Sequence, residues 1–124
     1  MNAAVVAATV AAGGAAAVIR YLVSRSLARV SDSESFPWAV LIVNVVGSAL
    51  GGVVLGLAQH AGVPAELQVV LLTGVCGGIT TFSTFSVETI QLFTAGRWRA
   101  ATLSVGANLL LGLGACTLGY LLFA

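Results

Sequence analysis

Long apolar stretches separated by short polar punctuation organise this chain. From Met1 to Val23 nearly every position is apolar, with Arg20 interrupting the run near its far end. A polar connection follows, marked by Arg25, Arg29, Asp32 and Glu34 and closed by Pro37. A second apolar stretch runs from about Trp38 to Ala58, and a short turn holds His60, Gly62, Pro64 and Glu66. A third runs from about Leu67 to Phe93, Arg97 and Arg99 mark the next connection, and a fourth covers about Ala101 to Phe123. A spanning helix takes about 20 residues, so the pattern predicts four transmembrane helices and a single all-α unit over residues 1–124. The first stretch shares the Ala-rich character of a signal peptide, but it has no basic leading region and no soluble domain follows it, so it is read as a span.

Composition narrows the class. Of 124 residues, 59% are apolar and 7% charged: five Arg, no Lys, and four Asp or Glu. The mean hydropathy is +1.07. A soluble domain draws about a quarter of its residues from charged types, so this chain cannot cover its apolar surface in water. Five scattered arginines make no phosphate-tracking stripe, which removes nucleic-acid binding.

Charge also orders the spans. With four spans, both termini and the Ala58–Leu67 turn share one side, which carries no Arg or Lys, whereas Arg25, Arg29, Arg97 and Arg99 share the other. Basic residues in short loops favour the cytoplasm, so the expectation is one fixed topology with the termini outside. Trp38, Trp98, Tyr21 and Tyr120 fall near span ends, where aromatic belts sit. Fifteen glycines include the small-xxx-small spacings Gly47–Gly51 and Gly52–Gly56, which permit close helix approach in lipid. Cys76 and Cys116 lie in apolar spans without a CxxC partner and read as small buried side chains.

The third span carries the polar problem. From Gly74 to Glu88 it reads GVCGGITTFSTFSVE, with Thr73, Thr80, Thr81, Ser83, Thr84 and Ser86 clustered beside Gly77 and Gly78. Adjacent glycines weaken a helix, and a broken helix at membrane depth is tolerated only against protein or a wet cavity. Freed carbonyls there can coordinate a cation, and half-helix N-termini favour anions. Gly74–Ser86 is therefore the best candidate site. Phe82 and Phe85 share a helical face, and their electropositive ring edges suit a small desolvated anion; the plainer reading is an aromatic pair facing lipid or core. Asn44, midway along the second span, offers amide donors, or glues two helices together. Arg20 and Glu88 are the most deeply embedded charges. They are read as a structural pair, since spans one and three run the same way, or as groups at a pathway entrance.

Three stretches carry a resemblance: GGAAAVIRY (Gly13–Tyr21), VNVVGSALGG (Val43–Gly52) and GVCGGITTFSTFSVE (Gly74–Glu88). Together they resemble the small fluoride-exporting channels of microbes, the CrcB or Fluc family, and the likeness covers essentially the whole chain. The resemblance implies an antiparallel dimer of four-helix subunits in the inner (plasma) membrane. The third helix is expected to break mid-membrane within Gly77–Thr81, with two fluoride pathways along the subunit interface. It implies a central structural Na+ held by the backbone carbonyls of Gly77 and Thr80 from both subunits. Asn44, Phe82 and Phe85 match the family's pathway residues, and Ser83 or Thr84, with neighbours such as Thr81, its hydroxyl track. Arg20 and Glu88 match the family's Arg of the first span and Glu after the hydroxyl run.

Two departures stand out. The fourth span of the family commonly shows Tyr, Ser and Gly at four-residue intervals, where this chain has Ser104, Asn108 and Gly112; Asn108 thus joins the candidate track as an amide in place of a hydroxyl. The one-sided arginines do not suit insertion in both orientations, so an oppositely biased partner subunit, making a heterodimer, is an alternative to a homodimer.

Other functions fit less well. A small multidrug-type dimeric transporter needs an acid deep in the first span, and no acidic residue precedes Asp32. A non-transport assembly subunit explains the glycines but not the concentration of Gly, hydroxyl and Phe. An enzyme is not expected, because the lone His60 lies in a turn with no acid–base pair or metal-ligand cluster evident.

Overall fold

The structure is a computed structural model and describes residues 2–28 and 36–124. All its regular elements are helical: α1 (Ala3–Ala28), α2 (Trp38–His60), a third span built in pieces, and α6 (Trp98–Phe123). The third span comprises α3 (Ala65–Val69), a π-helical segment (Val70–Cys76), α4 (Gly77–Ile79) and α5 (Phe82–Thr94). The four spans are 25, 23, 30 and 26 residues long, each enough to cross a bilayer. The charge-marked boundaries were close to the observed ones, but Arg25 and Arg99 are helical, so α1 and α6 carry their apolar stretches into basic ends. Arg29, Asp32 and Glu34 lie outside the described residues.

Local chemistry explains the helix ends. Asn2 Oδ1 accepts the Val5 N–H at 2.9 Å and caps α1. Pro37 and Pro64 immediately precede α2 and α3, where a missing N–H removes nothing the helix needs. Gly96, at φ +77°, ends α5. There the Arg97 N–H reaches the Leu92 carbonyl at 2.8 Å and the Gly96 N–H that of Phe93 at 3.1 Å, the pairing of a Schellman turn. Next to it Phe93 and Trp98 meet edge to face, centroids 5.2 Å apart, so an aromatic joint sits at the arginine-bearing end of the bundle.

Small residues set the packing. α2 packs chiefly against α6, and α1 against the third span. A Cβ on Gly56 would lie 2.7 Å from the Tyr120 carbonyl, and one on Gly52 would collide with the Cys116 carbonyl. The Gly52–Gly56 spacing is therefore the α2–α6 seam. Gly51 makes only ordinary contact, and Gly47 instead seats the Thr80 methyl. On the other side, a Cβ on Gly74 would stand 2.8 Å from the Thr9 carbonyl, and one on Gly78 2.8 Å from the Ala16 Cβ. Beneath this seam Ala16, Val43 and Ile79 form the buried cluster where α1, α2 and α4 converge. Cys76 and Cys116 are both free thiols.

Candidate functional site

The third span is interrupted midway along its length, at Thr80 and Thr81. Both are extended, with φ/ψ of −76/153° and −146/115°. The two glycines do not make the break: Gly77 and Gly78 stay helical in α4. Gly78 is glycine because α1 lies against it, whereas Gly77 has nothing nearer its missing Cβ than the Leu72 carbonyl at 3.7 Å and faces outward. The hydroxyl pair provides what the glycines do not. β-branched Thr accepts extended backbone readily, and each Thr side chain satisfies a helix end. Thr80 Oγ1 donates back to the Cys76 carbonyl at 2.9 Å, beside the Thr80 N–H at 3.0 Å, closing α4. Thr81 Oγ1 accepts the Thr84 N–H at 3.2 Å and caps α5.

Neighbouring helices clamp the extended pair from two sides. From α1, Arg20 Nη1 donates to the Thr80 carbonyl at 3.3 Å. From α2, Asn44 Oδ1 accepts the Thr81 N–H at 2.8 Å, and Asn44 Nδ2 donates to the Thr81 carbonyl at 3.3 Å. The same Nδ2 donates to Asn108 Oδ1 at 3.1 Å, which ties the break to α6. Asn44 therefore acts as helix glue in this single chain, one of its two readings, with both amide hydrogens engaged. Asn108 Nδ2 in turn donates to the Ser104 carbonyl at 2.8 Å, and Ser104 is wholly buried.

The remaining candidates point outward. Phe82, Ser83 and Thr84 form the first turn of α5 and are exposed, Phe82 at 79%. The Phe82 and Phe85 rings lie 6.2 Å apart, tilted by 47°. An exposed Phe82 ring beside a half-buried Phe85 and two hydroxyls, on the Thr81-capped N-terminus of α5, is an unusual surface to leave open at mid-span. Two positive contributions meet here: the N-terminus of α5 carries partial positive charge, and the Arg20 guanidinium reaches the Thr80 carbonyl from α1.

Arg20 and Glu88 are not paired. Arg20 Nη1 reaches the Thr80 carbonyl, whereas Glu88 lies beyond the extended pair, six residues after Phe82 and about 9 Å further along α5. Glu88 keeps a buried carboxyl oxygen, Oε2, without a hydrogen-bond partner among the described residues. The direction of the two spans was read correctly, but their depths do not match.

The donors for a cation can be tested against the same geometry. Among the described residues no group of three His, Cys, Asp or Glu side chains is placed to hold a metal, so any ion here would rest on backbone oxygens. The Gly77 carbonyl loses its usual helical donor because the Thr81 N–H turns to Asn44. The Thr80 carbonyl has left the helix but already accepts from Arg20. Both are uncharged oxygens freed by unwinding, the donor type that suits Na+. The fit at Thr80 requires its second lone pair and a shell completed by other oxygens.

Two features were not foreseen from the sequence. The π-helical segment, in which the Gly77 N–H reaches back to the Leu72 carbonyl, has no compositional signal. The Ser104–Asn108–Asn44 connection was visible only as a departure in the fourth span, without a partner.

Comparison with known proteins places the chain in a family. The model of a family described as CrcB-like protein, Camphor Resistance (CrcB), matches residues 7–120. Two proteins named fluoride-specific ion channel FluC, from Shewanella baltica strains OS185 and OS195, are each 47% identical over 111 residues, 89% of this chain and 89% of theirs. A third of that name, from Shewanella sp. strain ANA-3, is 46% identical over the same length. With the interrupted third span and the family match running nearly end to end, the chain belongs to the CrcB family.

Proposed function

We propose that this chain is a subunit of a fluoride-selective channel in the inner membrane that lets cytoplasmic fluoride out passively and so limits its toxicity. The observation that carries the reading is the clamped break. It presents the N-terminus of α5, with Phe82, Ser83 and Thr84, on an outer face of the subunit at mid-span. Fluoride is small and strongly hydrated, and stripping its water is costly. Hydroxyls, backbone N–H groups and electropositive ring edges are substitutes that carry no net charge. Fluoride that enters a cell as HF is trapped as the anion at neutral pH, and an inside-negative potential drives it outward without hydrolysis or proton coupling. The names of the relatives, fluoride-specific ion channels, support this reading.

A single chain leaves this path open on one side. Exposed Phe82, Val87 and Ile90 on α5 and Val18 and Ile19 on α1 support a second, antiparallel subunit that closes it. Na+ would be held by the Gly77 and Thr80 carbonyls of both subunits, where it would hold the breaks together and lend the site positive potential. Arg25, Arg97 and Arg99 gather at one end of the bundle, which supports a single orientation and hence an oppositely biased second chain. Labelling of engineered cysteines from each side of the membrane would distinguish one orientation from two.

The deciding experiment is anion efflux from liposomes, followed with a fluoride electrode and with chloride as the control. Selective fluoride efflux is expected. Equal permeation of both anions, or of neither even with an oppositely oriented second subunit supplied, overturns the reading.

A further inference from the structure

The polar contacts around the break form a directed chain, and its far end lies on α6. The Thr81 N–H can only donate, so the Asn44 atom facing it at 2.8 Å must be the carbonyl oxygen. That choice turns Asn44 Nδ2 towards the Thr81 carbonyl at 3.3 Å and the Asn108 oxygen at 3.1 Å. At the other end the Ser104 carbonyl can only accept, so the Asn108 atom facing it at 2.8 Å must be the amide nitrogen. Asn108 Nδ2 also lies 3.4 Å from Ser104 Oγ. Each carboxamide is thus oriented by a backbone group that cannot reverse its role, and the two meet donor to acceptor. A hydroxyl at position 108 could donate or accept and would impose no direction. The amide imposes one because its nitrogen is committed to α6.

We propose that Asn108 is a positioning residue for the anion path: its oxygen fixes the Asn44 carboxamide, so that α6 sets the position of the extended Thr80–Thr81 segment and hence of the α5 N-terminus. This rests on the channel reading above. Asn44 has no spare hydrogen while Asn108 holds it. An anion passing this depth is therefore met first by Ser83, Thr84 and the turn that Thr81 caps, and it gains a donor from Asn44 only by drawing that amide off Asn108 or off the Thr81 carbonyl. Substitution at Asn108 acts through Asn44 and Thr81, not through contact with the anion.

The test is a double-mutant cycle on purified, reconstituted protein, combined with backbone hydrogen exchange. Asn108→Leu keeps the branched shape and removes the bridge; Asn108→Ala removes the bridge and opens space. Both are expected to slow fluoride efflux about tenfold, and Asn44→Ala to do the same. The Asn44→Ala/Asn108→Leu pair is expected to be slowed about tenfold as well, not the ~100-fold of independent effects. The Thr81 amide is expected to exchange about tenfold faster in either Asn108 variant, with exchange within α6 unchanged. Additive losses in the cycle, or unaltered exchange at Thr81, overturn the proposal. A difference between the Leu and Ala variants in the exchange measurement also overturns it, because it would assign the effect to packing. If the parent protein passes no fluoride even with an oppositely oriented second subunit supplied, the channel reading fails, and the exchange arm alone still decides whether Asn108 orients the break.

Discussion

Thr81→Val isolates one atom of the break. Valine keeps the branched shape that suits the extended backbone at φ −146° and ψ 115°. It leaves the two backbone bonds to Asn44 in place and removes only Oγ1, which accepts the Thr84 N–H at 3.2 Å and meets the exposed Ser83 Oγ at 3.4 Å. Loss of a Thr cap costs about 0.5–2 kcal/mol where water can take over, and an N–H left buried and unpaired costs about 1–3 kcal/mol. Thr81 is 7% exposed while Thr84 is exposed, so the orphaned N–H lies at the rim of the site and the low end applies, about 1 kcal/mol. For a chain of this size that is a fall of about 3–5 °C in thermal midpoint. It is measurable in detergent micelles, and fluoride efflux from liposomes should fall with it. Thr81→Ser retains the hydroxyl and is expected to stay within about 0.5 kcal/mol of the parent. The capping argument is wrong if Thr81→Val is as stable as the parent, or if Thr81→Ser loses as much as Thr81→Val.

Three further outcomes follow from the same geometry. Phe82→Ile should slow fluoride efflux while size-exclusion profiles and thermal midpoints hold, because Phe82 is 79% exposed and its ring supports little of the subunit's own packing, and the half-buried Phe85, replaced by Ile, should slow efflux too; normal flux would remove the rings from the path. Gly78→Ala should destabilise by about 1–3 kcal/mol through overpacking, since its Cβ would stand 2.8 Å from that of Ala16, whereas Gly77→Ala meets nothing closer than 3.7 Å and should leave the subunit fold intact; equal thermal midpoints for the two variants would contradict the packing. Replacing Na+ by a large organic cation throughout purification should lower the thermal midpoint of the assembled protein and slow efflux, and unchanged behaviour would argue against a structural ion on the Gly77 and Thr80 carbonyls.

The four spans were legible because lipid enforces a simple rule: twenty or so apolar residues between polar marks. The site was legible as a region for the same reason, since hydroxyls gathered at mid-span demand an explanation. Its internal geometry was not. Gly77 and Gly78 read as the weak point because glycine lowers helix propensity, yet a glycine at a helix seam is held helical by the neighbour it admits, here α1 against Gly78. The break passed to Thr80 and Thr81, whose hydroxyls could satisfy the two helix ends it exposed. Glu88 and Arg20 were matched by counting residues, and the count failed because pairing depends on level as well as direction. Partners sixty or so positions apart, such as Asn44 and Asn108, leave no mark in a single sequence beyond being polar in apolar surroundings.

The polar groups of the break divide into those the protein consumes and those it leaves outward, and the division follows from charge economy. Thr80, Thr81, Asn44, Asn108 and Ser104 close on one another, which hydrocarbon requires of any unwound backbone. The outward set is Thr84, the ring edges and the first N–H groups of α5, with Ser83 Oγ shared with Thr81 Oγ1 at 3.4 Å; none of these bears a formal charge. A full charge there would hold a small anion too well, because passage requires binding weak enough to release. Arg20 stands behind the Thr80 carbonyl, where it biases the site through an intervening dipole. The embedded acid, Glu88, is displaced about two turns along α5 and so does not oppose the anion at the break itself. With nine charged side chains in 124 residues, Arg20 brings a full positive charge to the break through the Thr80 carbonyl, and the α5 N-terminus adds about half a charge to it.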